Sequence, residues 1–306
     1  MISFRYHVVT IVAVFLALAI GLLAGSAFVE PELTDQLRRQ TEGLRGEIRD
    51  QEGELDEART ERDALAAFVE AVALPLIEGR LAGTPAVVVT QTGVEDAVLE
   101  QTREALTNAG ASVVATVSAT DQIVSEDPET QERLAIMLGE PTAPADELPS
   151  LAARALAERL SAPRSALAEQ DLLESMLSAG FLAPLDGGPS EATLEEIGAP
   201  GQVVVVLSGG RGDAEPVLPP EAFAVPLVES LAELDVPVAA GESLLNDYDY
   251  VSLVRANGTD GTVTVDDLDR TIGGTALVLG VEELLATGVG GAYGVKDGAE
   301  PLPPLP

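Results

Sequence analysis

The chain has 306 residues, 51 acidic against 17 basic, giving a net charge of −34, with no cysteine, no tryptophan and one histidine. Lack of cysteine excludes disulfides, thiolate metal sites and cysteine nucleophiles, and the charge argues against nucleic acid and anionic lipid headgroups as partners. The length holds a real core, as one medium domain or two small ones behind a short N-terminal segment.

Residues 1–7 form a tail that carries Arg5, Tyr6 and His7, and Val8 to Val29 then run for 22 residues without a charge. As a helix that run rises ~33 Å, against a hydrocarbon core of ~30 Å, so residues 8–29 read as a membrane anchor. A cleaved leader ending at Ala24-Gly25-Ser26 is the rival reading, and the length of the run favours retention. Gly21 and Gly25 make a GxxxG pair that lets two helices approach closely in lipid, although glycine is common in membrane spans anyway. Tyr6 and His7, beside Arg5, read as interface anchors. Arg38, Arg39 and Arg45 follow the span, so basic residues alone do not orient it. A short tail with one arginine resembles an export start, which places the bulk of a single-pass protein outside the cytoplasm.

Residues 30–74 carry heptads. With Thr34, Thr41, Ile48, Leu55, Arg62 and Val69 at position a, position d holds Leu37, Leu44, Gln51, Ala58, Leu65 and Val72, so eight of twelve positions are apolar. This predicts a coiled coil roughly 60 Å long whose seam is Leu37, Leu44, Ile48, Leu55, Leu65, Val69 and Val72, and with it a homodimer. The alternative is a lone amphipathic helix folded onto the next domain. Gly43, Gly46 and Gly53 weaken the helix, and Pro75, Gly79, Gly83 and Pro85 are expected to end it.

Residues 80–289 read as a Rossmann-like three-layer α/β domain with a mostly parallel sheet. A strand at 85–90, a helix at 94–109 and a strand at 111–118 form a β-α-β unit. Further helices are expected at 129–138, 148–161, 164–179 and 221–234, strands at 202–207 and 236–240, and a closing strand 275–279 with helix 281–286. The tail 290–306, rich in glycine and proline, is expected to be extended or mobile.

Ser208, Gly209, Gly210 and Gly212 leave a strand where open α/β sheets bind ligands, though they match neither GxGxxG nor the Walker pattern; simple loop turning is the safer reading. Asp247 with Asp249, and Asp266 with Asp267 and Asp269, offer oxygen ligands without EF-hand spacing, and in so acidic a chain such clusters arise anyway. No metal ligands are assigned. His7 lies far from the domain, so no nucleophile–base dyad can be assembled. The chain reads as non-enzymatic, with no catalytic residue and no cofactor.

The opening SFRYHVVTIVAVFLALAIGLLAGS, the charged heptads and the ending GAYGVKDGAEPLPP resemble the actinobacterial copper-transport protein B family over essentially the whole chain. That resemblance implies a membrane segment, a coiled coil, an α/β domain, copper homeostasis and an envelope location, in some members the outer membrane. It also implies a link to envelope assembly at division through a protein partner. The residues themselves do not lead to copper: Cu(I) seeks sulfur and Cu(II) imidazole, yet beyond the initiator the chain has only Met137, Met176 and His7. Nor do short apolar strands between helices make a membrane barrel. Three readings follow: a copper-homeostasis protein acting through assembly, a coiled-coil scaffold for an envelope-remodelling or division partner, or an enzyme that binds a nucleotide or sugar near Ser208–Asp213.

Overall fold

The computed structural model describes residues 4–27, 31–164, 171–185, 191–210, 218–246, 248–258 and 261–303. Its contacts divide the chain into Met1–Ala67 and Phe68–Pro306. The first unit holds the apolar helix α1 (Phe4–Ala27) and most of α2 (Pro31–Ile77). Within α1 the stretch Tyr6–Gly25 is long and apolar enough to cross a membrane.

α2 runs through Pro75, which was expected to break it. A proline removes one backbone donor, and near a helix end that loss is tolerated when neighbours are held. Here Ala73 and Ile77 are buried on either side of it, and the N–H of Glu78 still reaches the Leu74 carbonyl at 3.0 Å. The helix ends at Ile77, and Gly79, with φ +75°, turns the chain away just beyond it.

The second unit is built on β1 (Pro85–Gln91), α3 (Asp96–Asn108), β2 (Ser112–Ala119), a 3-10 turn at Asp121–Val124, α4 (Pro128–Met137), α5 (Leu148–Ser161), α6 (Leu172–Ala179) and β3 (Leu182–Pro184). It continues with α7 (Glu191–Glu196), β4 (Val203–Leu207), α8 (Ala224–Glu233), β5 (Val238–Gly241), α9 (Tyr250–Ala256), β6 (Thr262–Val265), α10 (Thr271–Thr287) and β7 (Gly291–Tyr293). Among the described residues the sheet has seven strands in the order β3-β2-β1-β4-β5-β6-β7, and only the β2–β3 pair is antiparallel. The fold is therefore α/β with a mostly parallel sheet.

Side chains alternate across each strand, and the sheet faces two cores accordingly. Val87, Val89, Val204, Val206, Val238 and Ala240 pack with α4, α5, α6, α8 and α9. Ala86, Val88, Val203, Val205, Ala239 and Val263 pack with α3 and α10, and Ile77 and Leu81 join that side. Strands covered on both faces read as unbroken apolar runs, which is what VVVVL at β4 shows.

Two expectations are corrected. The stretch 275–286 is not a strand followed by a helix but part of α10, buried without a break from Gly273 to Val281. An apolar run covered on all sides has no amphipathic period, so strand and helix look alike in it. The helix expected at 164–179 is Leu172–Ala179 among the described residues, starting at the Asp171 N-cap, whose carboxylate accepts from the N–H groups of Leu173 and Glu174. In the tail, expected to be extended or mobile, Gly291–Tyr293 form the extended β7, and Glu300 pairs back beside Tyr293. β3, β6 and β7 were not anticipated.

Candidate functional site

Two features stand out, one on each unit. On α2 the heptad positions Leu44, Ile48, Leu55 and Leu65 are each more than half exposed, and Val72 is 41% exposed. Val69 is half-buried on the stripe that continues to Ala73 and Ile77, so the domain covers that part of the row. Phe68, which the heptad reading passed over, is 63% exposed. The side chain of Leu37 lies outside the described residues. On α1, Gly21 and Gly25 lie in a shallow groove with Val14, Ala17, Leu18 and Leu22. Tyr6 and His7 are exposed, and the Arg5 side chain is outside the described set.

The second feature lies at the carboxyl ends of β4, β5, β6 and β7. In a parallel sheet these ends gather the loops, and the order β2-β1-β4-β5 makes β1/β4 the point where the winding reverses. There the Ser208 hydroxyl donates to Gln91 Oε1, both side chains being buried, and Gln91 Nε2 has no partner among the described residues. Gly209 has φ +111°, and a Cβ on it would come within 2.4 Å of the Asn246 amide. A Cβ on Gly210 would lie 3.1 Å from the Gly93 carbonyl. These glycines admit the protein's own Asn246 and Gly93, which supports the loop-turning reading of the segment. Gly212 and the rest of residues 211–217 lie outside the described residues.

Asn246 Oδ1 accepts from Gly210 N at 2.9 Å and from Tyr248 N at 3.2 Å, while its amide donates to Glu242 Oε2. Glu242 follows β5 and is fully buried; its Oε2 also takes Val251 N at 3.0 Å and its Oε1 takes Lys296 Nζ at 2.8 Å. Lys296 reaches Asp249 as well, at 3.5 Å. Burial works against the Lys296 charge, but the bond to Glu242 and the two carboxylate charges outweigh it and hold its pKa above the usual lysine value. One strand over, Asp266 is fully buried: Oδ2 pairs with Arg255 at 2.9 Å, and Oδ1 accepts from Val295 N at 2.7 Å and Lys296 N at 3.2 Å. Arg255 completes its bonds on Thr264 Oγ1 and the Tyr293 carbonyl.

The two acidic clusters are thus split among different tasks. Asp249 and Asp266 neutralise Lys296 and Arg255, and Asp269 caps the loop by accepting from Leu244 N at 2.7 Å. Asp247 lies outside the described residues. Asp267 is 2% exposed, and its Oδ1 has no partner among the described residues. Burial, followed by the charge of Asp266, pushes its pKa up to about 6, against the pull of Arg270. Among the described residues no three His, Asp or Glu side chains come together in a way that would hold a metal ion. Met176 is fully buried, while Met137 is half-buried against the core.

Lys296 and Glu242 were missed by the sequence reading. The signal available was positional, since each follows a strand at the same end of a parallel sheet.

Comparison with known proteins adds the family. The family model described as "Copper transport outer membrane protein, MctB" matches residues 1–304. Curated relatives include proteins named copper transporter MctB from Mycobacterium tuberculosis and Mycobacterium bovis, each 26% identical and aligned over 98% of both chains. A protein of the same name from Mycobacterium leprae is 27% identical, again over 98% of both.

Proposed function

Because the chain belongs to the MctB family of copper transport outer membrane proteins, we propose that it serves copper homeostasis as an envelope protein, held at a membrane by α1 and acting through assembly along α2. The observation that carries this reading is the row of exposed apolar side chains, Leu44, Ile48, Leu55 and Leu65, on a helix 47 residues long. Large apolar groups left in water at helical spacing call for a second surface, and a matching helix from another copy supplies one. The domain lies outside the cytoplasm in this reading, and copper passes under the protein's influence without being ligated by it. The absence of cysteine, the single histidine at the edge of α1 and the burial of the Met176 thioether support that division of labour.

Copper titration of the purified chain, with Cu(I) and Cu(II) separately, tests the second half of the proposal. Only weak, non-stoichiometric uptake is expected; one tight site per chain overturns it. Site-directed cross-linking at Ile48 in membranes tests the first half, and the expected product is a covalent dimer.

A further inference from the structure

α2 changes character over its final turns. From Ala64 to Ile77 the sequence ALAAFVEAVALPLI carries a single charge, Glu70, after a long stretch crowded with Glu, Asp and Arg. The helical period sorts this segment into three faces. Val69, Ala73 and Ile77, four residues apart, are the face that the domain covers, half-buried at Val69 and buried at the other two. Glu70 and Leu74 line a groove with Gln101, Glu104 and Asn108 of α3. The third face holds Phe68, Ala71, Val72 and Pro75, at i, i+3, i+4 and i+7, and Ala64 and Leu65 extend it by one turn. All six are exposed, and none of their side chains is polar.

An apolar face of this kind in water calls for a cover. Two copies that each carry a net charge of −34 repel one another, so they meet with least repulsion where neither brings a charge. The Phe68 face is such a place, because the one acid of the segment lies in the groove with α3. It also continues the row Leu44, Ile48, Leu55 and Leu65. Heptad position a is exposed at Ile48 and Leu55 but half-buried at Val69, so beyond Leu65 the open positions are d (Val72) and g (Phe68 and Pro75). Direction follows from the same pattern. A parallel copy lays this face on its own counterpart, apolar on apolar. An antiparallel copy aligned along α2 lays it on the first half of the helix, where Arg45, Glu47 and Arg49 stand in water.

Resting on the pairing along α2 given above, we propose that the face of Phe68 and Val72 is the docking surface for the same face of a second, parallel copy. The seam between the copies passes from positions a and d to positions d and g at Leu65, and Phe68 is its anchor. An aromatic ring brings a large apolar area to such a contact at little conformational cost, which is why aromatic residues dominate the centres of interfaces.

The chain has no cysteine, so single cysteines placed in the full chain and oxidised in isolated membranes map the seam. Phe68→Cys and Val72→Cys are expected to form disulfide-linked dimers as Ile48→Cys does, while Glu70→Cys, between them in sequence but on the groove side, stays monomeric. Phe68→Asp, at an exposed position, is expected to weaken the dimer of the full chain in detergent by on the order of tenfold or more, with the α/β melting transition in place. Cross-linking at Ile48 without cross-linking at Phe68 and Val72 overturns the proposal and leaves pairing along α2 standing. Equal cross-linking at Glu70 and Phe68 overturns it too, as does an unweakened dimer in Phe68→Asp. No cross-link at any of the four positions removes the pairing and this extension of it together.

Discussion

Asp267 is the residue at which burial and charge are most at odds. Its neighbour Asp266 has an arginine and two backbone donors, whereas one oxygen of the buried Asp267 has no partner among the described residues. A carboxyl whose folded pKa is about 6 against an ordinary 3.8 holds its proton longer in the native state than in the unfolded chain. Stability from this group is therefore full below pH ~4 and is lost as pH rises through ~6. Replacing Asp267 by Asn is expected to stabilise the protein at pH 7.5, by at most about 3 kcal/mol, and to leave it nearly unchanged at pH 4. Urea unfolding at the two pH values checks the sign; a variant weaker than the parent at pH 7.5 counts against it. Gly209 gives a second residue-scale test. Gly209→Ala places a methyl against Asn246 at a positive φ, and a loss of roughly 1–3 kcal/mol is expected in the same measurement.

Among the elements, α2 and α10 show what a sequence discloses and what it hides. α2 declares itself through charge and heptads, and where it meets the domain its face turns from exposed at Leu65 to half-buried at Val69 and buried at Ala73. α10 carries an unbroken buried run from Gly273 to Val281, and the cue that would have separated helix from strand was erased there by burial against the sheet and α3. Its glycines show the contact: a Cβ on Gly274 would lie 3.1 Å from Ala105 of α3. β1, β2, β4 and β5 were legible as valine-rich runs, while β3 and β7 have three residues each, too few to carry a period. The acidic residues of the carboxyl-end cluster were legible as residues, but their cationic partners were not, because Lys296 and Arg255 reach them only through the strand order. For α2 the expected outcome is sharp. Leu55→Asp with Leu65→Asp should halve the sedimenting mass of residues 30–306 and leave the α/β melting transition in place, since both side chains are exposed in the single chain. A parent fragment that is already monomeric at micromolar concentration removes the support for pairing through α2.

At the scale of the whole molecule the governing quantity is charge. A net −34 on 306 residues is a self-repulsion that dissolved salt screens over about 10 Å at 0.1 M, whereas the buried pairs of Lys296 and Arg255 feel that screening far less. The melting temperature is expected to rise by several degrees between roughly 50 mM and 500 mM sodium chloride. A flat or falling curve would mean that exposed ion pairs outweigh the repulsion. The same census leaves the protein with a single lysine, and that lysine is the one clasped by Glu242 and Asp249. Acylating reagents attack an amine only when it is neutral and within reach, and here both conditions are withheld together. Among its side chains the molecule thus offers such a reagent one address, and the rate at which that address reacts is a clock for how often it comes free.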